Sequence, residues 1–460
     1  MNDNRDRKVH ITTFGCQMNE YDSARIIDLL TDMGYQQAAG QGQADLIIFN
    51  TCSVRAKAQD KLYSFLGPFR DYKRTHPKTR IVVAGCVAQQ EGRRMLKMLP
   101  QVDLVLGPDA LPDLPRIIPL VERGQRLVYT SLQGQKEMPL SGRSPGLKAQ
   151  VTVMRGCDNF CSYCVVPYVR GREVSRPLQA IVSEVSALVE NGAREVRLLG
   201  QNVNSYAGEH GEDFARLLRA VAKVPLLKRI RFTTSHPKDL SPSLIEVMAT
   251  EAKVMKEIHL PAQSGSNRVL EAMNRGYTRE RYLGLVERLR EAVPGISVGG
   301  DIIVGFPGES EDDFQRTMRL LEEVSYDFLF SFQYSDRPPA PACDLPAKVS
   351  EPEKRRRLLV LQARQKEIGL KRNQNLVGRV VEVLVEGPAK KGEGFLSGRD
   401  QSGRAINFPG PANLQGSLLQ VKLIQANINS LCGQLVEKSP LRSITERVDY
   451  ASHESARADH

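Results

Sequence analysis

Short β-type runs alternate with helical stretches from residue 9 to residue 332, and this alternation confines most of the chain to α/β architectures built on parallel sheets. The first series has candidate strands at 9–14, 45–49, 80–84 and 102–106, separated by helical patterns such as 21–33 and 56–74, and it predicts an N-terminal parallel-sheet domain over residues 8–122. Residues 123–149 hold Gly124, Gly134, Pro139, Gly142, Pro145 and Gly146 among polar neighbours and read as a linker. A second series places strands near Val151 and at 195–199, 229–232, 257–260, 296–304 and 327–332, most of them separated by helical runs such as 178–190, 268–273, 279–292 and 311–323. Six such units predict a partial (β/α)6 barrel within a central domain of residues 150–374. A basic helix at 353–374, with Lys354, Arg355, Arg356, Arg357, Arg364, Lys366, Lys371 and Arg372, closes this series and reads first as a solvated face, second as an RNA contact. The pattern then changes: runs at 378–385, 405–408 and 418–424 predict a small C-terminal β-barrel over 376–438, of the kind that binds oligonucleotides. The polar residues 439–460 are expected to be a disordered tail.

Cysteines mark the turns of both series. Cys16, Cys52 and Cys86 each follow one of the first three strands, 36 and 34 residues apart. Because all carboxyl ends of a parallel sheet lie on one edge, the three thiols are expected to meet at one rim. Three unrelated buried cysteines are the plain alternative, and a metal site is favoured over it. The second series opens with Cys157, Cys161 and Cys164 just after its first strand, where barrel active sites form. Three thiols in eight residues can hold three corners of an iron–sulfur cube and leave the fourth iron open to a ligand. Zinc would need a fourth ligand nearby, yet no cysteine or histidine lies between Cys164 and His210. His236 and His259 are not counted as ligands, and Cys343 and Cys432 read as plain free thiols.

Polar or glycine-rich clusters close the later strands: Leu199-Gly200-Gln201-Asn202, Thr234-Ser235-His236-Pro237, Leu260-Pro261-Ala262-Gln263-Ser264-Gly265 and Val304-Gly305-Phe306-Pro307-Gly308-Glu309. All would face the mouth that holds Cys157, Cys161 and Cys164, where a ligand needs close backbone approach and a few orienting polar groups. A net charge of +11 over 460 residues suits a polyanionic partner. The N-terminus shows no secretory signal, no apolar run approaches a membrane span, and the eight cysteines then read as reduced thiols or ligands, so a cytoplasmic place is expected.

The run Cys157, Cys161, Tyr163, Cys164, a C-x-x-x-C-x-aromatic-C pattern, resembles the signature of the radical S-adenosylmethionine superfamily. The resemblance implies a 4Fe-4S cluster on Cys157, Cys161 and Cys164 whose free iron chelates S-adenosylmethionine and cleaves it to a 5'-deoxyadenosyl radical. It further implies that Tyr163 lies near the adenine, and that Gly200, Gln201, Asn202, Gln263, Gly305, Phe306, Pro307 and Gly308 line the cofactor pocket. Thr13-Phe14-Gly15-Cys16-Gln17-Met18-Asn19, Asn50-Thr51-Cys52-Ser53-Val54-Arg55, Ala84-Gly85-Cys86 and the C-terminal β domain together resemble the methylthiotransferases over nearly the whole chain. That resemblance implies a second 4Fe-4S cluster on Cys16, Cys52 and Cys86 and a terminal TRAM domain that grips RNA.

Within the family three subclasses compete, acting on tRNA isopentenyladenosine, tRNA threonylcarbamoyladenosine or an aspartate of ribosomal protein S12. Cys164-Val165-Val166-Pro167-Tyr168-Val169-Arg170-Gly171-Arg172-Glu173-Val174-Ser175-Arg176-Pro177, with Leu199-Gly200-Gln201-Asn202-Val203-Asn204 and Phe232-Thr233-Thr234-Ser235-His236-Pro237, is similar to the isopentenyladenosine class. The expected reaction is therefore radical methylthiolation at C2 of N6-isopentenyladenosine 37 of tRNA. It would use two molecules of S-adenosylmethionine, sulfur handed over at the second cluster, an electron donor such as flavodoxin or ferredoxin, and a sulfur or cluster supply system. The run Tyr334-Ser335-Asp336-Arg337-Pro338-Pro339-Ala340-Pro341-Ala342 departs from the family's more usual Arg-Pro-Gly-Thr-Pro-Ala type and bears on the substrate side. Arg379, Arg399 and Arg404 are the candidates for phosphate contacts, in a segment 376–438 that holds seven Lys or Arg against five Asp or Glu. The competing reading from another class is a non-catalytic RNA-binding protein with structural zinc sites.

Overall fold

The computed structural model describes residues 7–53, 56–132, 146–390 and 392–436; the expected tail, 439–460, and the middle of the expected linker, 133–145, lie outside the described residues. The chain divides into two compact units between Gly369 and Leu370.

The first unit opens with β1 (Arg7–Phe14), β2 (Tyr35–Gln37), β3 (Leu46–Thr51), β4 (Arg80–Gly85), β5 (Leu104–Leu106) and β6 (Leu127–Tyr129). They form one sheet in the order β2-β1-β3-β4-β5-β6, with every pairing parallel. Strand β3, Leu-Ile-Ile-Phe-Asn-Thr, is buried at every position because helices cover both faces. Leu46, Ile48, Val82 and Ala84 pack toward the helices Gln17–Asp32 and Leu114–Glu122, while Ile47, Phe49, Ile81 and Val83 pack toward Ala56–Leu66, Phe69–Thr75 and Cys86–Met98. The helical pattern read as one run over 56–74 is two helices, broken at Gly67-Pro68, where the proline has no N–H to continue the ladder. Two three-residue edge strands, β2 and β6, escape a pattern reading, and β6 falls inside the stretch 123–149 read as linker.

The same unit continues with β7 (Lys148–Thr152), the short antiparallel pair β8 (Met154–Arg155) and β9 (Val174–Ser175), then β10 (Glu195–Leu199), β11 (Arg229–Phe232), β12 (Glu257–His259), β13 (Ser297–Val304) and β14 (Phe328–Gln333). Six of these run parallel in two ladders, β7-β10-β11 and β12-β13-β14, which meet at a single bridge between Ile230 and Val254. The expected six-strand wall is present, in sequence order, with its hydrogen bonding interrupted between β11 and β12. One face, including Val151, Val196, Leu198, Ile230, Ile258, Val298 and Ile302, packs on the helical layer. The alternate positions are polar: Arg231 reaches Glu257 at 2.7 Å and Glu195 at 3.7 Å. The helices Phe214–Ala222 and Pro242–Thr250 complete that layer.

The helix Glu351–Gln374 leads into the second unit. Four of its eight basic residues are committed to carboxylates of the first unit: Lys354 to Glu351, Arg356 to Glu311 and Glu353, Arg357 to Glu309 and Glu353, and Arg364 to Glu322 and Glu367. The second unit is a closed barrel of β15 (Val380–Pro388), β16 (Phe395–Asp400), β17 (Ala405–Pro409), β18 (Leu418–Ala426) and β19 (Leu431–Leu435), in the order β15-β16-β17-β19-β18. Val383, Val385, Leu396, Ile406, Phe408 and Val421 fill it.

Candidate active site: two cysteine triads and the arginines that hold them

Cys16, Cys52 and Cys86 stand at the carboxyl ends of β1, β3 and β4, three adjacent strands of one parallel sheet. The Cys52 amide donates to the Phe14 carbonyl at 2.9 Å, extending the β1–β3 ladder up to the thiol. Glycines bring the turns together. A Cβ on Gly15 would stand 2.5 Å from the Cys52 Cβ, and one on Gly85 would stand 2.4 Å from Asn50 Oδ1 and 2.5 Å from the Thr51 carbonyl. Cys16 caps the helix Gln17–Asp32 and Cys86 begins the helix Cys86–Met98, so two helix N-termini face the thiols, a setting that favours thiolate. The hydrogen bond from Cys52, with help from Arg170 and the amides of Asn19 and Met18, lowers the Cys16 thiol to about 6 against its burial. Burial pushes Cys86 the other way.

Cys157, Cys161 and Cys164 follow β8 in a loop held from several sides. The Gly156 amide donates to Gln201 Oε1 at 2.6 Å, Ser162 Oγ donates to the Ala272 carbonyl at 2.7 Å, and Asn274 Nδ2 donates to the Phe160 carbonyl at 3.0 Å. Arg275, 4% exposed, is the clamp: Nη1 donates to Cys161 Sγ and to the Tyr163 hydroxyl, each at 3.3 Å, Nη2 donates to the Pro261 carbonyl at 2.9 Å, and Nε donates to the Tyr277 hydroxyl at 3.0 Å. Burial pushes the Cys164 thiol up to about 12, with the neighbouring Cys161 adding to it, and burial also raises Cys157. Such thiols ionise against a cation and stay protonated without one.

The other expected pocket residues divide by role. Gly200 lies against the Met154 side chain. Asn202 is buried and spent on structure: its Nδ2 donates to Asp239 at 2.7 Å and its Oδ1 accepts from the His236 amide at 3.1 Å. Gln263 sits at φ +73, and its buried Oε1 has no partner among the described residues. Thr152 Oγ1, Ser235 Oγ and His236 Nε2, at the carboxyl ends of β7 and β11, are likewise buried without partners among the described residues. Phe306 and Tyr163 pack with Val269, Met273, Tyr334 and Ala342, and Pro307 is buried beside them in sequence. The Gly305 amide donates to Glu309 Oε2 at 2.5 Å, and Arg357 Nη1 donates to the same oxygen at 2.7 Å, so Gly305–Gly308 is a braced turn. Gly308 is held through its carbonyl by Arg268 Nη2 at 2.6 Å. The divergent loop 334–342 bridges the two halves: the Ala342 amide donates to the Ser162 carbonyl at 2.7 Å, and Gln90, from the helix begun by Cys86, donates to the Pro338 carbonyl at 2.9 Å.

These donor sets fit the groups that the resemblance implies. Among the described residues no group of three or more His, Cys, Asp or Glu side chains is arranged to hold a single metal ion. Three soft sulfur ligands on each rim suit iron–sulfur clusters. The unsatisfied acceptors and hydroxyls of Thr152, Ser235, His236 and Gln263 suit a polar cofactor laid across the strand ends.

In the second unit Arg379 is exposed, while Arg399 donates to the Gly403 carbonyl at 2.7 Å and stands 3.3 Å from Glu386, and Arg404 stands 3.5 Å from Asp400. The last two spend donors inside the barrel.

Comparison with known proteins agrees with this layout. Residues 8–107 match the uncharacterized protein family UPF0004, residues 151–321 the radical SAM superfamily and residues 374–436 the TRAM domain. The chain is 48% identical over 437 residues to the tRNA-2-methylthio-N(6)-dimethylallyladenosine synthase of Geotalea uraniireducens (strain Rf4), spanning 94% of this chain and 99% of the relative. The chain belongs to this synthase family. The synthase of Citrifermentans bemidjiense is 49% identical over 439 residues, again 94% of this chain and 99% of the relative. Among solved structures, the radical S-adenosylmethionine methyltransferase TsrM from Kitasatospora setae, with cobalamin and a [4Fe-4S] cluster bound, superposes with a TM-score of 0.52. At 15% identity over 85% of this chain and 81% of that one, the likeness concerns the fold.

Two residues that sequence reasoning did not single out matter most in this synthase site. Arg275 is separated from Cys161 by more than a hundred residues, so no spacing announces it. Arg170 follows Cys164 by six residues within the quoted motif, and a buried arginine so close to a ligand run was a signal available in principle.

Proposed function

We propose that this chain methylthiolates C2 of N6-isopentenyladenosine 37 in tRNA, drawing on two 4Fe-4S clusters and S-adenosylmethionine. The observation that carries the reading is the pairing of two three-thiol rims inside one compact unit, in a chain nearly half identical to synthases of that name along almost their whole length. Cys157, Cys161 and Cys164 would hold the first cluster, and Cys16, Cys52 and Cys86 the second. When bound, these groups supply the one-electron chemistry that breaks the C2–H bond and the sulfur and methyl that replace the hydrogen. The C2 hydrogen is barely acidic, so a side-chain base is of no use at neutral pH, and the protein's own work is positioning.

Named groups support each positioning role. Arg275 fixes Cys161 and Tyr163 together, Gln201 ties the first ligand loop to the end of β10, and Glu309 with Arg357 braces the turn Gly305–Gly308. Gln263, Ser235 and Thr152 keep buried polar atoms available to a cofactor. His236 is held neutral, its pKa brought down to about 2 by burial and by the charges of Arg275 and Lys238, so it adds no positive charge to the mouth. The TRAM barrel, with Arg379 exposed, supplies RNA contact. An external electron donor and a sulfur supply complete the cycle, in the cytoplasm; no helix among the described residues is long and apolar enough to cross a membrane.

Nucleoside analysis of tRNA from cells lacking the protein tests the substrate. The methylthio group is expected to vanish from isopentenyladenosine; its persistence there, with loss from threonylcarbamoyladenosine or from the aspartate of ribosomal protein S12, refutes the assignment. Alanine at Cys157, Cys161 or Cys164 is expected to abolish cofactor cleavage, and alanine at Cys16, Cys52 or Cys86 to stop sulfur insertion while cleavage remains measurable.

A further inference from the structure

The ligand loop of the first triad runs directly into the five-residue helix Val166–Arg170, and this helix forms one wall of the second triad. Val165 and Val169 pack against Cys86, all three buried. From the end of the helix Arg170 reaches further: its Nε donates to Cys86 Sγ at 3.2 Å and its Nη2 donates to Asp22 Oδ2 at 2.7 Å. The pair is enclosed, with 3% of the Arg170 side chain and 2% of the Asp22 side chain exposed. Asp22 lies in the helix capped by Cys16, so the guanidinium spans two of the three βα units that carry the second triad. Its Nη1 is buried and has no partner among the described residues.

A buried guanidinium with one nitrogen left unpartnered is costly unless something anionic accepts from it. Arg170 has a carboxylate for charge balance at Nη2 and a sulfur at Nε, and the remaining nitrogen, Nη1, is fixed in direction by the other two. We propose that Arg170 is a positioning residue of the second site, reaching across from the first: it holds Cys86 through Nε, is anchored by Asp22 through Nη2, and offers Nη1 to an anionic sulfur, sulfide or thiolate, carried at that site. The proposal rests on the cluster-bearing reading of Cys16, Cys52 and Cys86 given above. It makes the helix Val166–Arg170 a direct structural connection between the loop of Cys157, Cys161 and Cys164 and the Cys86 end of the other triad.

The anion has two sources, the inorganic sulfide of a cluster and a free small thiolate that joins it. Anaerobically reconstituted full-length wild type, R170Q and R170K are compared by iron content, by electron paramagnetic resonance-monitored redox titration of the second cluster, and by the spectral change on adding sodium sulfide or methanethiolate. 5'-Deoxyadenosine formation is followed in parallel. R170Q keeps polar bulk and loses the charge. Its half-saturating sulfide or methanethiolate concentration is expected to rise about tenfold or more, the change expected for losing one charge-assisted hydrogen bond. R170K is expected to recover part of that loss. A shift in the cluster's midpoint potential without a change in added-thiolate binding assigns the donor to cluster sulfide; a change in thiolate binding without a potential shift assigns it to the added anion. Unchanged potential and unchanged half-saturation in an R170Q protein of full iron content overturn the proposal. Should R170Q not load its second cluster, R170K decides, and wild-type potential and affinity in it overturn the proposal equally. Absence of a second cluster in the wild type sinks the underlying reading instead, and is read before any variant is made.

Discussion

Replacing Gly85 with alanine should unseat the second triad and leave the first intact. Gly85 sits at φ +92, ψ −160, a region that residues with a Cβ occupy at a cost of about 1–3 kcal/mol. The added methyl would also stand 2.4 Å from Asn50 Oδ1 and 2.5 Å from the Thr51 carbonyl. Neither neighbour can yield cheaply. Asn50 is locked by donating to the Asn19 carbonyl and to Ser23 Oγ, both at 2.9 Å, and by accepting from Asn19 Nδ2 at 3.1 Å. Overpacking of this kind adds about 1–3 kcal/mol, so the total is about 2–6 kcal/mol. Gly124 provides the control: it too lies at φ +92, but the nearest atom to its added Cβ is Arg80 Nη2 at 3.9 Å, so alanine there should cost about 1–2 kcal/mol from backbone strain alone. Denaturant unfolding of both variants, with iron analysis after anaerobic reconstitution, reads the difference. Wild type and G124A are expected to hold about eight irons per chain, and G85A about four, since each cubane carries four. Equal stability of G85A and G124A, with full iron in both, would refute the argument that the close approach of these turns builds the site.

Glu309→Ala removes the acceptor for the Gly305 amide and one carboxylate of a buried ion pair; because Arg357 keeps Glu353 at 2.7 Å, the loss is expected near 3 kcal/mol, with weaker S-adenosylmethionine binding by equilibrium dialysis. His236 has a folded-state pKa near 2 against 6.5 when unfolded, so its contribution is complete above pH 6.5 and is lost as pH falls below it. Between pH 6.5 and 5 it should account for up to about 1.4 kcal/mol per unit, and His236→Gln should flatten the pH dependence of the denaturation midpoint by one proton. In the barrel, Arg379→Ala should weaken tRNA binding and reduce the slope of log affinity against log salt by about one, whereas Arg404→Ala should leave the slope unchanged and cost about 1 kcal/mol of barrel stability through Asp400.

Much of this was legible because the repeat and the chemistry share a period. A strand such as Leu46–Thr51, buried at every position, announces itself as a continuous apolar run, and the cysteine that follows it is placed on the rim by sheet topology alone. Edge strands of three residues, Tyr35–Gln37 and Leu127–Tyr129, carry too little pattern to be read, since their pairing comes from the neighbour they border. The break at Gly67-Pro68 was visible as residues and still missed as a helix end. Asn202, expected at the cofactor, braces Asp239 and His236, and three of the eight basic residues of the helix meet carboxylates brought from elsewhere in the fold. Roles of this kind are set by which side chains meet across the fold, and Arg275 and Arg170 belong with them.

The short helix Val166–Arg170 has a consequence for how such a protein can be recombined. By sequence it belongs to the radical SAM segment, yet its inner face completes the pocket of Cys86. A graft that exchanges residues 8–122 between relatives would therefore divide one functional surface between two parents. Chimeras that carry 165–170 along with the N-terminal donor should inherit a matched pocket, and those cut at the apparent domain border should not.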